Sequence, residues 1–260
     1  MTIDCTGAIT GTAKAHTRQS LEDGWNQGLL VLPPAAGEDV YTGTPAAAPL
    51  RKAAFPAMLF MHGSSGITEQ IRIFADWLAR SLGLAVVVPD SMQLPERMTY
   101  TSPIAREDYE IIHALRRAEL ENAVEQLARQ PWFNGQAILA GTSEGGVCVA
   151  RFNGRNLPLR EAGRILFSWS CEDNYHVRHH ETDIPDSLPV LNVMSASDKF
   201  FSQANSFLDN PEALGHAART LAGNSEAAIV LIPGAPHTLL NLPQTRGAVK
   251  AFIERALVKK

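Results

Sequence analysis

Apolar runs without polar alternation recur along the chain, and longer stretches of helical spacing separate them. The runs are Ala57–Met61 (AMLFM), Leu84–Val88 (LAVVV), Gln136–Ala140, Arg164–Ser168, Pro189–Met194 and Ala227–Ile232. Strands buried on both faces read this way, because neither face meets solvent. After the first run, Ile71, Phe74, Leu78 and Leu82 repeat at intervals of three and four, which predicts a helix over Thr68–Leu82. A longer helix is predicted from about Ile104 to Gln130, closed by Pro131, with a short one around Val147–Arg151 and a last one over Gln244–Val258. Strands that alternate with helices imply crossover connections. The predicted class is α/β, a doubly wound and mostly parallel sheet with helices on both faces.

Ahead of this pattern, Leu32–Pro56 is rich in proline, alanine and glycine and reads as turns and edge structure. Residues 1–56 are therefore expected to form an N-terminal extension with edge strands, packed on a main domain over 57–260. No internal repeat is visible, and no insertion is long enough to build a separate cap domain.

Composition narrows the trade of the molecule. The chain has 260 residues, 45% hydrophobic and 19% charged, too apolar and too balanced in charge for a disordered segment. Its 23 basic and 27 acidic side chains leave a net charge of −4, with no basic stripe, which excludes a nucleic-acid partner. Cys5, Cys148 and Cys171 are too few and odd in number for a disulfide framework. Residues Met1–Ser20 lack the apolar core of a signal peptide, and the longest apolar runs fall well short of the ~20 residues that cross a bilayer. The expectation is a cytoplasmic protein with no membrane partner.

In a doubly wound sheet the chemistry lies beyond the carboxyl ends of the strands. The third run leads into Gly141-Thr142-Ser143-Glu144-Gly145-Gly146, a G-x-S-x-G turn. Such a turn from strand to helix lifts a serine hydroxyl above the sheet, and its glycines leave room for close strand–helix packing. The first run ends in His62-Gly63-Ser64-Ser65-Gly66, where backbone amides can face a developing oxyanion. The expected donors are the amides of Ser64 and Glu144. A nucleophilic serine needs a base, and the base needs an orienting carboxylate. Asp198 follows the fifth run and His237 follows the sixth, in the chain order Ser143, Asp198, His237.

The segments MLFMHGSSGI, LAVVVPDS, ILAGTSEGG, VLNVMSASD and IPGAPH together resemble an α/β-hydrolase, and more narrowly the compact, capless branch related to dienelactone hydrolases. That resemblance implies an α/β-hydrolase fold, a Ser143–His237–Asp198 triad and no cofactor or metal. Dienelactone hydrolases proper carry cysteine as nucleophile where this chain has Ser143. The departure favours a general serine esterase that cleaves a small-molecule ester, thioester or lactone. Peptidase, acyltransferase or lyase chemistry on the same site, or a non-catalytic binding role on the scaffold, are the alternatives. A homodimer is left open.

Other residues are candidates for the rim. The segment 168–188, which follows the fourth run, is expected to overhang the site, with Trp169 and Tyr175 as walls of a substrate pocket. Its His176, His179 and His180 read as a solvated polar loop, since their spacing fits no metal motif. Asp173 or Glu172 could replace Asp198 as the acid. His62 and Ser65 fall close enough to touch substrate, His62 mainly as an organiser of its loop. Arg116, with Arg97 or Arg106, is either a receiver for an anionic substrate group or an arginine that snorkels out of the core. The Glu144 side chain has no assigned partner, and Cys148 reads as a small core residue.

Overall fold

The computed structural model describes residues 5–35 and 37–258. One sheet of eight strands organises the chain, in the order β10-β9-β8-β7-β4-β5-β2-β3. Six strands run parallel: β4 (Phe55–Met61), β5 (Ala85–Val88), β7 (Phe133–Thr142), β8 (Arg160–Phe167), β9 (Val190–Ser195) and β10 (Ala227–Ile232). Two antiparallel strands, β2 (Leu29–Leu32) and β3 (Tyr41–Gly43), extend the edge beside β5. This is the mostly parallel α/β sheet that the apolar runs predict.

Alternation within each strand divides the core. Ala57, Leu59 and Met61 of β4 face one cluster, shared with α1 (Arg18–Asn26), α3 (Arg106–Ala128) and α4 (Glu144–Arg151). Met58 and Phe60 face the other cluster, shared with α2 (Glu69–Leu82) and α5 (Pro243–Val258). Each helix turns its apolar stripe to the sheet, so the central strands are buried on both faces, mostly by apolar side chains. Gly83, at φ 63°, closes α2 in the left-handed conformation that glycine adopts freely. Among the described residues no helix is long and apolar enough to cross a membrane.

Two features differ from the expected pattern. The helix α1, closed at its start by a Thr17–Ser20 capping box, and the strand β2 precede the turn-rich segment. α1 carries few apolar residues, so periodicity alone does not announce it, and β2 is a four-residue apolar run, Leu29–Leu32, that borders the turn-rich segment. Secondly, the connection 196–226 crosses between parallel strands without a helix, as does 168–189, the segment that reads as a loop in the sequence. Side chains replace the helical ladder there: Asn192 binds the carbonyls of Leu166 and Trp169 and the amide of Ala217, and Glu172 accepts from the amides of Leu214 and Gly215. Buried backbone groups must be paired somewhere, and these carboxamides and carboxylates do it.

The N-terminal segment braces one loop of the main sheet from outside. The two-residue strand β1 (Ile9–Thr10) pairs with β6 (Thr99–Tyr100), and the amides of Thr12 and Ala13 both bond to the Glu96 carbonyl. The loop that carries Arg97 and Tyr100 is thereby held from outside.

Candidate active site

The turn between β7 and α4 sets the geometry. Ser143 sits at φ 54° and ψ −120°, a backbone region that costs a non-glycine residue about 1–3 kcal/mol. The turn is over-determined by contact. A Cβ on Gly145 would lie 2.1 Å from the Met61 carbonyl oxygen, and one on Gly141 would lie 2.2 Å from that of Gly145. Only glycine fits at either place. The Ser143 amide donates to the Phe167 carbonyl at 2.9 Å, and its own carbonyl starts α4 through Val147 at 3.1 Å.

The carboxyl ends of β9 and β10 bring two further groups to the same edge. Asp198 is 1% exposed, and its Oδ1 accepts from the amides of Phe200 and Phe201 at 2.9 and 3.1 Å. Its Oδ2 lies 2.7 Å from His237 Nδ1. A carboxylate only accepts, so Nδ1 carries the proton and Nε2 presents a lone pair. Burial by itself would raise the Asp198 carboxyl. The bond and charge of His237 and the two amides outweigh it and hold the group below its ordinary value. The Phe200 ring meets His237 edge-on at 4.6 Å, and Ser168 donates to the His237 carbonyl at 2.5 Å.

Ser143 and His237 line a cleft of about 490 Å³, together with Ser64, Ser65, Tyr175 and Phe200. Thus Ser143, His237, Ser64, Ser65 and Tyr175 share one cavity, and Asp198 lies directly behind His237. The alternative acids sit elsewhere, because Glu172 is taken up by the Leu214 and Gly215 amides and Asp173 by the amide of His180.

Four expectations about the rim are corrected. Trp169 is fully buried, with its Cβ under Gly146 and its ring edge-on to Phe201, so it supports the elbow from below and walls no pocket. His62 is also fully buried. Its Nδ1 donates to the Gly63 carbonyl at 2.6 Å and its Nε2 accepts from the Ser91 amide at 3.0 Å, which leaves no ring nitrogen for substrate. Arg116 neither reaches the cleft to receive a substrate anion nor snorkels outward: it is 0% exposed and paired with the carboxylates of Glu119 and Glu144. Finally, the segment 168–188 is no solvated loop along its first half. Tyr175, His176 and Val177 are packed among Tyr109, Phe201 and Phe207.

Spacing could not have revealed what surrounds Glu144. Its carboxylate is buried and accepts from Arg97 Nη2 at 2.6 Å and from Tyr100 Oη at 3.0 Å. The Tyr100 hydroxyl spends its proton on that carboxylate, so the 3.0 Å contact to His176 Nε2 needs the histidine to donate. Tyr100 and His176 both line the cleft; Tyr100 does not stand out in the sequence, and His176 reads there only as part of a solvated polar loop. His179 meets Asp173 at the surface and His180 meets Thr182. Among the described residues no group of three or more His, Cys, Asp or Glu side chains converges as metal ligands.

Buried neutral histidines make stability depend on pH. Burial first, and then the charge of Arg116, pushes His62 down to about 3, and burial with the charge of Arg151 pushes His113 down to about 4. His176 is lowered well below its ordinary value by burial and by His113. The unfolded chain protonates all three near pH 6.5 while the folded chain does not, so stability is complete above pH 6.5 and falls as the pH drops below it. Each histidine contributes a slope of up to about 1.4 kcal/mol per pH unit. Thermal melts at pH 7.5, 6.0 and 5.0 are expected to show a steadily falling midpoint. A flat midpoint across that range would contradict the buried, neutral assignment.

Comparison with family models finds no match, and comparison with curated protein sequences finds none either. Solved structures do match in fold. A lidless α/β serine hydrolase from Xanthomonas campestris aligns over 87% of this chain and 88% of its own, at 18% identity and a TM-score of 0.51. Est1E from Butyrivibrio proteoclasticus aligns over 88% and 93%, at 17% identity and a TM-score of 0.51, and has also been solved with ferulic acid bound. A dienelactone hydrolase-like promiscuous phosphotriesterase from metagenomic libraries covers 97% of each chain, at 13% identity and a TM-score of 0.53. At these identities the likeness is one of fold: the chain has the α/β-hydrolase fold.

Proposed function

We propose that this chain, an α/β-hydrolase by fold, is a serine hydrolase of the dienelactone-hydrolase-like kind that cleaves a carboxylic ester through an acyl-enzyme. The observation that carries the reading is the 2.7 Å bond from Asp198 to His237 Nδ1, which turns a basic Nε2 toward the cleft that also holds Ser143. Ser143 Oγ attacks the substrate carbonyl while His237 Nε2 takes its proton. The carbonyl electron pair moves to oxygen, and the amides of Ser64 and Glu144 donate hydrogen bonds to the oxyanion so formed. Collapse expels the alcohol, protonated by His237, and water then repeats the sequence to release the acid.

The cleft suits a small, partly aromatic ester. Tyr175, Phe200 and Phe201 supply rings, and Ser64, Ser65 and Thr68 supply hydroxyls. A feruloyl ester therefore belongs in the panel beside short p-nitrophenyl esters. A fluorophosphonate probe is expected to add to Ser143, seen as one adduct by intact mass and mapped to the peptide that contains it. Absence of the adduct together with absence of turnover would overturn the reading. Product formed only when an alcohol or amine acceptor is added would make the enzyme a transferase.

A further inference from the structure

Two guanidiniums are buried beneath the nucleophile turn, and neither lines the cleft. Arg116, from the middle of α3, reaches three partners. Its Nη2 donates to the His62 carbonyl at 2.9 Å, its Nε lies 3.5 Å from the Glu144 carboxylate, and its Nη1 lies 2.8 Å from Glu119. Arg97 joins the same group: it donates to Glu144, and to Ser91 Oγ at 2.6 Å, which in turn donates to Glu119 at 2.6 Å. Burial by itself would raise the Glu119 carboxyl, but Arg116, His16 and Ser91 outweigh it and hold it down to about 2. Two cations and two anions balance, so the cluster exerts little net charge on the turn above it.

Stability is a poor reason for such a cluster, since well-packed apolar side chains commonly serve a core as well or better. What apolar side chains cannot do is hold two chain segments at a set separation by directional bonds. The segments tied here are the loop after β4, by the Arg116 Nη2 bond to the His62 carbonyl, and the turn after β7, by the Arg97 Nη2 bond to Glu144, with the Arg116 guanidinium 3.5 Å from that carboxylate as an ion pair and not a hydrogen bond. These are the segments that contain the amides of Ser64 and Glu144.

We propose that Arg116 is a positioning residue for the oxyanion hole: its guanidinium spans the two segments and sets the spacing of the two donor amides. The proposal rests on the serine-hydrolase reading of the same site. A delocalised fork suits the task, because one arm donates to the His62 carbonyl while its charge still faces the Glu119 and Glu144 carboxylates. His62 stiffens the same loop through its bonds to Gly63 and Ser91. The oxyanion exists only in the transition state and the intermediate. A misplaced amide therefore lowers kcat and leaves KM nearly untouched.

Arg116→Gln alone would leave two buried carboxylates facing one guanidinium, so the test combines it with Glu119→Gln, which keeps the charge balance. The folded double variant is expected to lose about 10²-fold in kcat, the scale of one weakened oxyanion donor, with KM within about 3-fold. Binding of a trifluoromethyl ketone is expected to weaken by the same factor. In that adduct Ser143 Oγ bonds the carbonyl carbon, its proton passes to His237, and the carbonyl electron pair becomes an oxyanion. Binding of the product carboxylate, which forms no such adduct, is expected to stay within about 3-fold. Should the double variant not fold, Glu144→Gln retains an acceptor for Arg97 and removes the charge that draws Arg116. About a 10-fold loss is then expected, again shared by kcat and the ketone. A folded variant whose kcat and ketone affinity match the wild type, or whose loss lies in KM alone, would overturn the proposal. Wild-type protein that fails to take up fluorophosphonate at Ser143 would instead remove the reading beneath it.

Discussion

Ser143→Ala is expected to lower kcat for a short p-nitrophenyl ester by about 10⁶-fold, to near the rate left by binding and oxyanion stabilisation alone. The reason is that the hydroxyl is the only atom removed. The fold should stay intact, because serine and alanine carry the same Cβ into the φ 54° turn and Gly141 and Gly145 keep their close contacts. A midpoint within a few degrees of wild type, alongside the lost activity, separates chemistry from unfolding. A folded variant that keeps more than about one part in a hundred of the activity would show that another nucleophile operates. Cys148 is no substitute, since it is buried, its thiol faces the Arg116 carbonyl, and burial pushes it up to about 12.

Asp198→Asn is expected to cost about 10⁴-fold in kcat with little change in stability. The direction follows from the hydrogen bonds. Oδ1 accepts from the Phe200 and Phe201 amides, so in the variant the carboxamide oxygen stays there and its NH2 turns to His237. An NH2 group donates to Nδ1, which moves the ring proton to Nε2 and removes the lone pair that would take the serine proton. Asp173→Asn, at a residue whose carboxylate binds only the surface residues His179 and His180, should stay within about 3-fold of wild type. A large loss at Asp173 with none at Asp198 would reassign the acid.

Much of the architecture was legible along the chain. Each parallel strand announced itself as a dry apolar run, and Pro131, Gly141 and Gly145 marked where elements end or turn. The segment 168–188 was legible as a loop, but the helix-free crossing 196–226 and the bonds that hold both were not, because Asn192 and Glu172 do there, through space, what a helix does by local repetition. Trp169 shows the same limit. Its place after β8 is readable, whereas the side it faces depends on Gly146 and Phe201 from other elements.

The sequence by itself determined the order of the strands and the turn that each of Ser143, Asp198 and His237 occupies, since turn chemistry and apolar period act between near neighbours. Only the tertiary structure decided the role of the charges. Arg97 and Glu144 are 47 positions apart, and nothing local distinguishes a guanidinium that will meet solvent, a substrate anion or a buried carboxylate. That choice is made by desolvation: once the elbow and α3 close over Glu144, an unpaired carboxylate there would cost several kcal/mol, so the arginines of the loop before β6 and of α3 are drawn inward to it.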